Sequence, residues 1–89
     1  MPKKLYKIEV AKGVKKDLKN LPKKDLLKIA ILIESLATEP YPDGCKKLKG
    51  VDELYRVRQG DYRILYSVKN KVLTVLILKV AHRSKVYDF

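Results

Sequence analysis

The chain has 89 residues, 46% hydrophobic and 35% charged, which suits one folded domain and excludes both a disordered basic tail and a second domain. Lys and Arg number 21 against 10 Asp and Glu, a formal net charge of +11. An excess this large in so short a chain costs self-repulsion and points to a polyanionic partner: RNA, DNA, an acidic protein segment or an anionic membrane. A single cysteine, Cys45, excludes an internal disulfide, and no Cys/His cluster has zinc spacing, so neither metal nor cofactor is expected. The start lacks the apolar run of a secretory signal and no apolar run is long enough to span a bilayer, so the expected location is the cytoplasm.

In chain order, Leu5 to Val10 alternates apolar with charged residues and reads as a half-buried strand. From Ala11 to Asn20, Val14 and Leu18 recur at helical spacing, continued by Leu21, with lysines between, so a short and largely exposed helix is expected. Asn20-Leu21-Pro22 breaks it, and Pro22 suits the first turn of the next helix. Lys23 to Thr38 is the longest helix. Leu26, Ile29, Ala30, Ile33, Leu36 and Ala37 form its apolar stripe, and Leu27, Ile31 and Leu32 widen it beyond what one sheet face covers. A second surface must claim the excess, either the first helix, which is the expectation, or a partner. Glu39 to Gly44 is turn chemistry with two prolines and an Asp-Gly pair. Cys45 to Gly50 reads as a flexible basic loop.

Leu54 onward is a β-meander. Its first run places Tyr55 and Val57 on one side and Leu54, Arg56 and Arg58 on the other. Gln59-Gly60-Asp61 and Lys69-Asn70-Lys71 are the turns. Val72 to Val80 is nearly all apolar and reads as a strand covered on both faces, the centre of the sheet. The order β-α-α-β-β-β argues an α+β domain spanning residues 1–89, with two helices on one face of a mainly antiparallel four-stranded sheet. The other face is open to a ligand.

Cutting RNA through its own 2′-hydroxyl needs a base, positive charge for the developing phosphorane, and an acid for the departing 5′-oxygen. Arg56, Arg58, Arg63, Lys79 and Arg83 could gather around one phosphate if they share a sheet face. Singly, each is more commonly a surface ion pair, except Arg63, which lies in a strand where a solvated arginine is unusual. His82 is the only histidine, and an imidazole gives or takes a proton near neutrality, although a lone loop histidine is more often structural. Tyr87 could stack on a base or close the core. Lys47 and Lys49 could neutralise flanking phosphates or act as base, or simply line a solvated loop. Asp52 and Glu53 are the nearby carboxylates.

Tyr55-Arg56-Val57-Arg58, Gly60-Asp61-Tyr62-Arg63-Ile64-Leu65-Tyr66 and His82-Arg83-Ser84-Lys85-Val86-Tyr87, preceded by Lys46-Lys47-Leu48-Lys49-Gly50, resemble the RelE branch of the RelE/ParE toxin superfamily over essentially the whole chain. The resemblance implies the toxin of a type II toxin–antitoxin system, an mRNA interferase that cleaves messenger RNA in the A site of a 70S-type ribosome, without a metal. It also implies neutralisation by a cognate RelB-like antitoxin in a heterodimer or heterotetramer. Carried over by position, the phosphate-binding arginine falls on Arg63, the two basic strand positions on Arg56 and Arg58, the terminal tyrosine on Tyr87 and the proton-donating histidine of several relatives on His82. Ala81 stands where founding members carry an arginine, leaving Lys79 or Arg83 to substitute. An arginine does not deprotonate, so the base is open among Lys47, Lys49 and Glu53. The rivals are a ParE-like inhibitor of DNA gyrase and a non-catalytic RNA- or ribosome-binding module.

Overall fold

The computed structural model describes residues 5–48 and 53–85, with the Lys85 side chain left aside. The strands are β1 (Lys7–Val10), β2 (Lys46–Lys47), β3 (Leu54–Gln59), β4 (Tyr62–Lys69) and β5 (Thr74–His82), and the helices α1 (Lys12–Lys19) and α2 (Lys23–Ser35). They build one sheet in the order β1-β5-β4-β3-β2. Every neighbouring pair is antiparallel except β1 with β5. The two helices separate β1 from the strands that follow, and such a crossover is what a parallel pair requires.

One face of this sheet is the core. On β4, Ile64, Tyr66 and Val68 are fully buried, and the residues between them, Arg63, Leu65 and Ser67, point the other way. Val57 on β3 and Val75, Ile77 and Val80 on β5 join them, and Val14, Ile29, Ile33 and Leu36 pack down from the helical side. The buried Tyr66 hydroxyl donates to the Pro40 carbonyl at 2.7 Å, which fastens the turn-rich segment before β2 to the centre of the sheet. Burial pushes this phenol well above its usual range. The β3–β4 hairpin closes on Gly60-Asp61, where Gly60 takes φ +60°, a conformation that costs an L-residue but not glycine.

The helices-on-one-face architecture read from the sequence is present, with five differences. The sheet has five strands, because Lys46–Lys47 pairs with Tyr55–Arg56 where a flexible loop was expected. Its centre is β4, with β5 between β4 and β1. β5 begins at Thr74, after a 3₁₀ turn at Asn70–Val72 and Leu73 at φ +44°, and continues through His82. The second helix ends at Ser35, short of Thr38, its last turn loosening before Pro40 can continue it. The expectation that α1 covers the widened stripe fails at Leu27 and Ile31, which stay 58% and 67% exposed.

One irregularity decides which side chains reach the open face. Tyr66 pairs with Ile77 but Leu65 pairs with Lys79, so Leu78 is an extra residue in β5. A bulge of this kind shifts the alternation by one. Val75 and Ile77 face the helices before it, and Val80 and His82 do after it. Lys79 and Ala81 go to the open face.

Candidate functional site

Cross-strand partners share a sheet face, so the register builds the open face in rows. Arg58 of β3 is paired with Arg63 of β4, and Arg63 with Ala81 of β5. The next row runs Lys46, Arg56, Leu65 and Lys79. Three arginines therefore stand on neighbouring positions of two strands, with Arg56 and Arg63 half-buried. Placing like charges side by side is unfavourable. Its effect is visible at Arg56, whose guanidinium is held below its ordinary value, first by burial and then by Arg63 and Arg58. An anion bound among them would relieve that repulsion, and guanidinium groups offer paired donors that match phosphate oxygens.

The hairpin tip brings in a fourth cation. The Asp61 carbonyl accepts from the Arg83 backbone N–H at 2.7 Å, and the Asp61 carboxylate lies 3.7 Å from the Arg83 guanidinium. This anchors the residue following β5 against the turn between β3 and β4. The result is a concavity of about 150 Å³ lined by Arg58, Gly60, Asp61, Tyr62, Arg63 and Arg83. A second concavity, of about 320 Å³, lies along the adjoining row between Lys46, Arg56 and Arg58, with Asp43 at its side.

Other residues singled out from the sequence fall elsewhere. His82 pairs with Tyr62, on the face opposite Arg63, and its ring meets the Tyr62 ring edge-on at 5.3 Å between centroids. The Ser84 backbone N–H donates to His82 Nδ1 at 3.1 Å, and the Ser84 hydroxyl lies 2.8 Å from the same nitrogen. A backbone N–H can only donate, so the ring proton of the neutral imidazole sits on Nε2. Lys79 belongs to the open face by register, but its ammonium is 3.4 Å from Asp17 of α1. The same carboxylate accepts from the Val80 N–H at 3.4 Å, capping the β5 edge beyond the end of β1. Lys47 is paired with Tyr55, whose ring lies 5.9 Å from that of the core residue Tyr66. Glu53 precedes β3, about 16 Å from Arg58 at the usual rise per strand residue. Lys49, Asp52 and Tyr87 lie outside the described residues.

Lys46 is the residue the sequence reading passed over. Its partner Arg56 places it in the basic row, whereas its neighbour Lys47 points away. Only the existence of β2 distinguishes the two, and a two-residue strand carries no periodicity to detect.

Residues 8–87 match the family described as the ParE toxin of type II toxin–antitoxin systems, parDE. The chain is 42% identical to RelE1 of Methanocaldococcus jannaschii over 85 residues, covering 92% of this chain and 94% of that protein. It is 34% identical to toxin RelE3 of the same organism, covering 93% and 97%. Among solved structures it is similar to a chain of the archaeal RelE–RelB complex from Pyrococcus horikoshii, with a TM-score of 0.81, 36% identity, and coverage of 92% of this chain and 99% of that one.

Proposed function

The chain belongs to the ParE toxin family of type II toxin–antitoxin systems, within the RelE/ParE superfamily, and from that membership we propose that it is an endoribonuclease cutting messenger RNA in the ribosomal A site. The observation that carries this reading is the Arg58–Arg63 pair with Arg56 beside it and Arg83 above it. The scissile phosphate sits among these guanidinium groups. The 2′-hydroxyl attacks phosphorus, its proton passes to a base, and the O2′–P bond forms as the P–O5′ bond breaks. An acid protonates the departing 5′-oxygen, leaving a cyclic phosphate. Fixed cations aimed at the phosphorane supply most of the rate in such a site, and no step calls on a metal.

Roles follow from position. Arg63 and Arg58 bind the reacting phosphate, and Arg56 and Arg83 stabilise its developing charge. Lys46, in register with Arg56, fits the base role better than Lys47 or Glu53. The ring of His82 faces away from Arg63, which favours Tyr87 as the proton donor. A RelB-like antitoxin is the proposed neutralising partner, by likeness to the RelE–RelB complexes of P. horikoshii and Mycobacterium tuberculosis. The exposed Leu27 and Ile31, one helical turn apart on α2, give it an apolar anchor. On this reading the toxin acts in the cytoplasm, where translating ribosomes are.

Because the matching family carries the ParE description, gyrase inhibition is the second reading. A primer-extension map of a defined messenger in a cell-free translation system separates the two. Cuts confined to the A-site codon and lost in Arg63→Ala are the expected result. An uncut message, with inhibition of gyrase supercoiling, overturns the nuclease reading.

A further inference from the structure

A second concentration of positive charge lies on the helices, away from the arginine face. On α1, Lys12, Lys15, Lys16 and Lys19 are all exposed. They fall at the i, i+3, i+4 and i+7 positions that make one continuous helix face. Together with Asn20 they line a shallow open concavity of about 590 Å³. The start of α2 extends the surface with Lys23, Lys24 and Lys28, again exposed. None of these seven ammonium groups has an ion-pair partner among the described residues.

The acids within the same stretch are already engaged on the sheet side. Asp17 holds Lys79 and the Val80 N–H. Asp25 lies against the Tyr62 hydroxyl, which desolvation first and then Asp25 push above the usual phenol range. Both carboxylates thus turn inward and leave the lysines unbalanced. Only Val14 of α1 is buried, so folding needs little from the lysine face.

We infer that the α1 lysine face is a second nucleic-acid contact, one that grips the phosphate backbone of double-helical RNA without reading its sequence. Lysines act as mobile point charges rather than bidentate readers, which suits contacts that position a backbone. Duplex RNA is recognised mainly through its shape, phosphates and 2′-hydroxyls. An acidic protein fits less well. Protein interfaces have an apolar or aromatic centre and are depleted in lysine, whereas this concavity is lined by lysines and one asparagine. The choice of RNA over DNA rests on the endoribonuclease reading; the existence of the backbone contact does not. The two faces then divide the work, lysines holding folded RNA while arginines work on a single strand.

The test measures affinity for a labelled RNA hairpin of mixed sequence, and for a DNA hairpin of the same sequence, between about 50 and 200 mM salt, where backbone contacts dominate. Lys12→Gln/Lys15→Gln/Lys19→Gln is compared with Lys7→Gln/Lys69→Gln/Lys71→Gln, which removes the same net charge elsewhere. Overlapping thermal melts establish that both variants fold. The stripe variant is expected to lose about tenfold or more in RNA affinity, with a salt slope shallower by about 2 to 3, while the control keeps its slope. Equal losses in both variants would reduce the effect to net charge and overturn the inference, as would no loss in either. Loss of RelB-like antitoxin binding with hairpin binding intact makes the surface a protein dock instead, and tighter DNA than RNA binding overturns the RNA assignment. Failure of the nuclease reading shows in a separate readout, the absence of A-site cuts by the unaltered chain.

Discussion

The two faces of β4 make the most instructive contrast in the molecule. Ile64, Tyr66 and Val68 are sealed beneath the helices, while Arg63, one residue away, stands beside Arg58 on the open side. The same few residues of backbone therefore serve stability on one side and charge concentration on the other. Burial of apolar surface drives folding, and that gain offsets the repulsion among three neighbouring arginines. The faces should consequently respond to substitution in opposite ways.

The largest separation is expected from Ile64→Ala, a cavity under the helices that costs about 2 to 5 kcal/mol, read as a shifted urea midpoint. Next comes Arg63→Ala, with A-site cleavage down about 100- to 1,000-fold by analogy with loss of one preorganised donor. Its unfolding midpoint should stay near that of the parent chain or rise as repulsion is relieved. A marked fall in stability for Arg63→Ala would show that the faces are not independent. Tyr66→Phe leaves the Pro40 carbonyl without its donor and is expected to cost about 1 to 3 kcal/mol. It also tests a pH effect whose sign is fixed. The Tyr66 phenol is raised by burial, so the unfolded chain ionises first, near pH ~10. The tyrosine's contribution is complete below that pH and falls by about 1.4 kcal/mol per unit above it; the phenylalanine variant should lose that slope. The smallest effect is Gly60→Ala, about 1 kcal/mol, since φ +60° disfavours a side chain although nothing stands within 4 Å of the added Cβ. Any extra loss of cleavage there would trace to the Asp61–Arg83 contact at the tip.

Much of this contrast could be read in the residues themselves. Alternation along Tyr55 to Arg58 and the Gly60-Asp61 turn announced the hairpin and the shared face of Arg56 and Arg58, because local periodicity and turn chemistry are written in adjacent residues; that Arg63 joins that face needed the register across the hairpin. Two things were not local. The run from Val72 to Val80 is apolar at nearly every position, so no alternation marks the bulge at Leu78, and the bulge alone sends His82 to the Tyr62 side and Ala81 to the Arg63 side. Lys46 and Lys47 differ in role only because one of them meets Arg56 across a two-residue ladder. Register across strands comes from packing of the whole sheet, and single-strand patterns leave it open.

The parallel pairing of β1 with β5 has a consequence for the order of events during synthesis. The strand nearest the N-terminus has no sheet neighbour until Thr74 to Ile77 has been made, and Arg83 reaches the hairpin tip later still. Such non-local pairing delays folding until distant segments meet. A growing chain carries Arg56, Arg58 and Arg63 well before it owns the strand that braces them. On the proposed endoribonuclease reading, a nascent chain would therefore hold its arginines without the power to cut until Thr74 to His82 had been made and paired with β4.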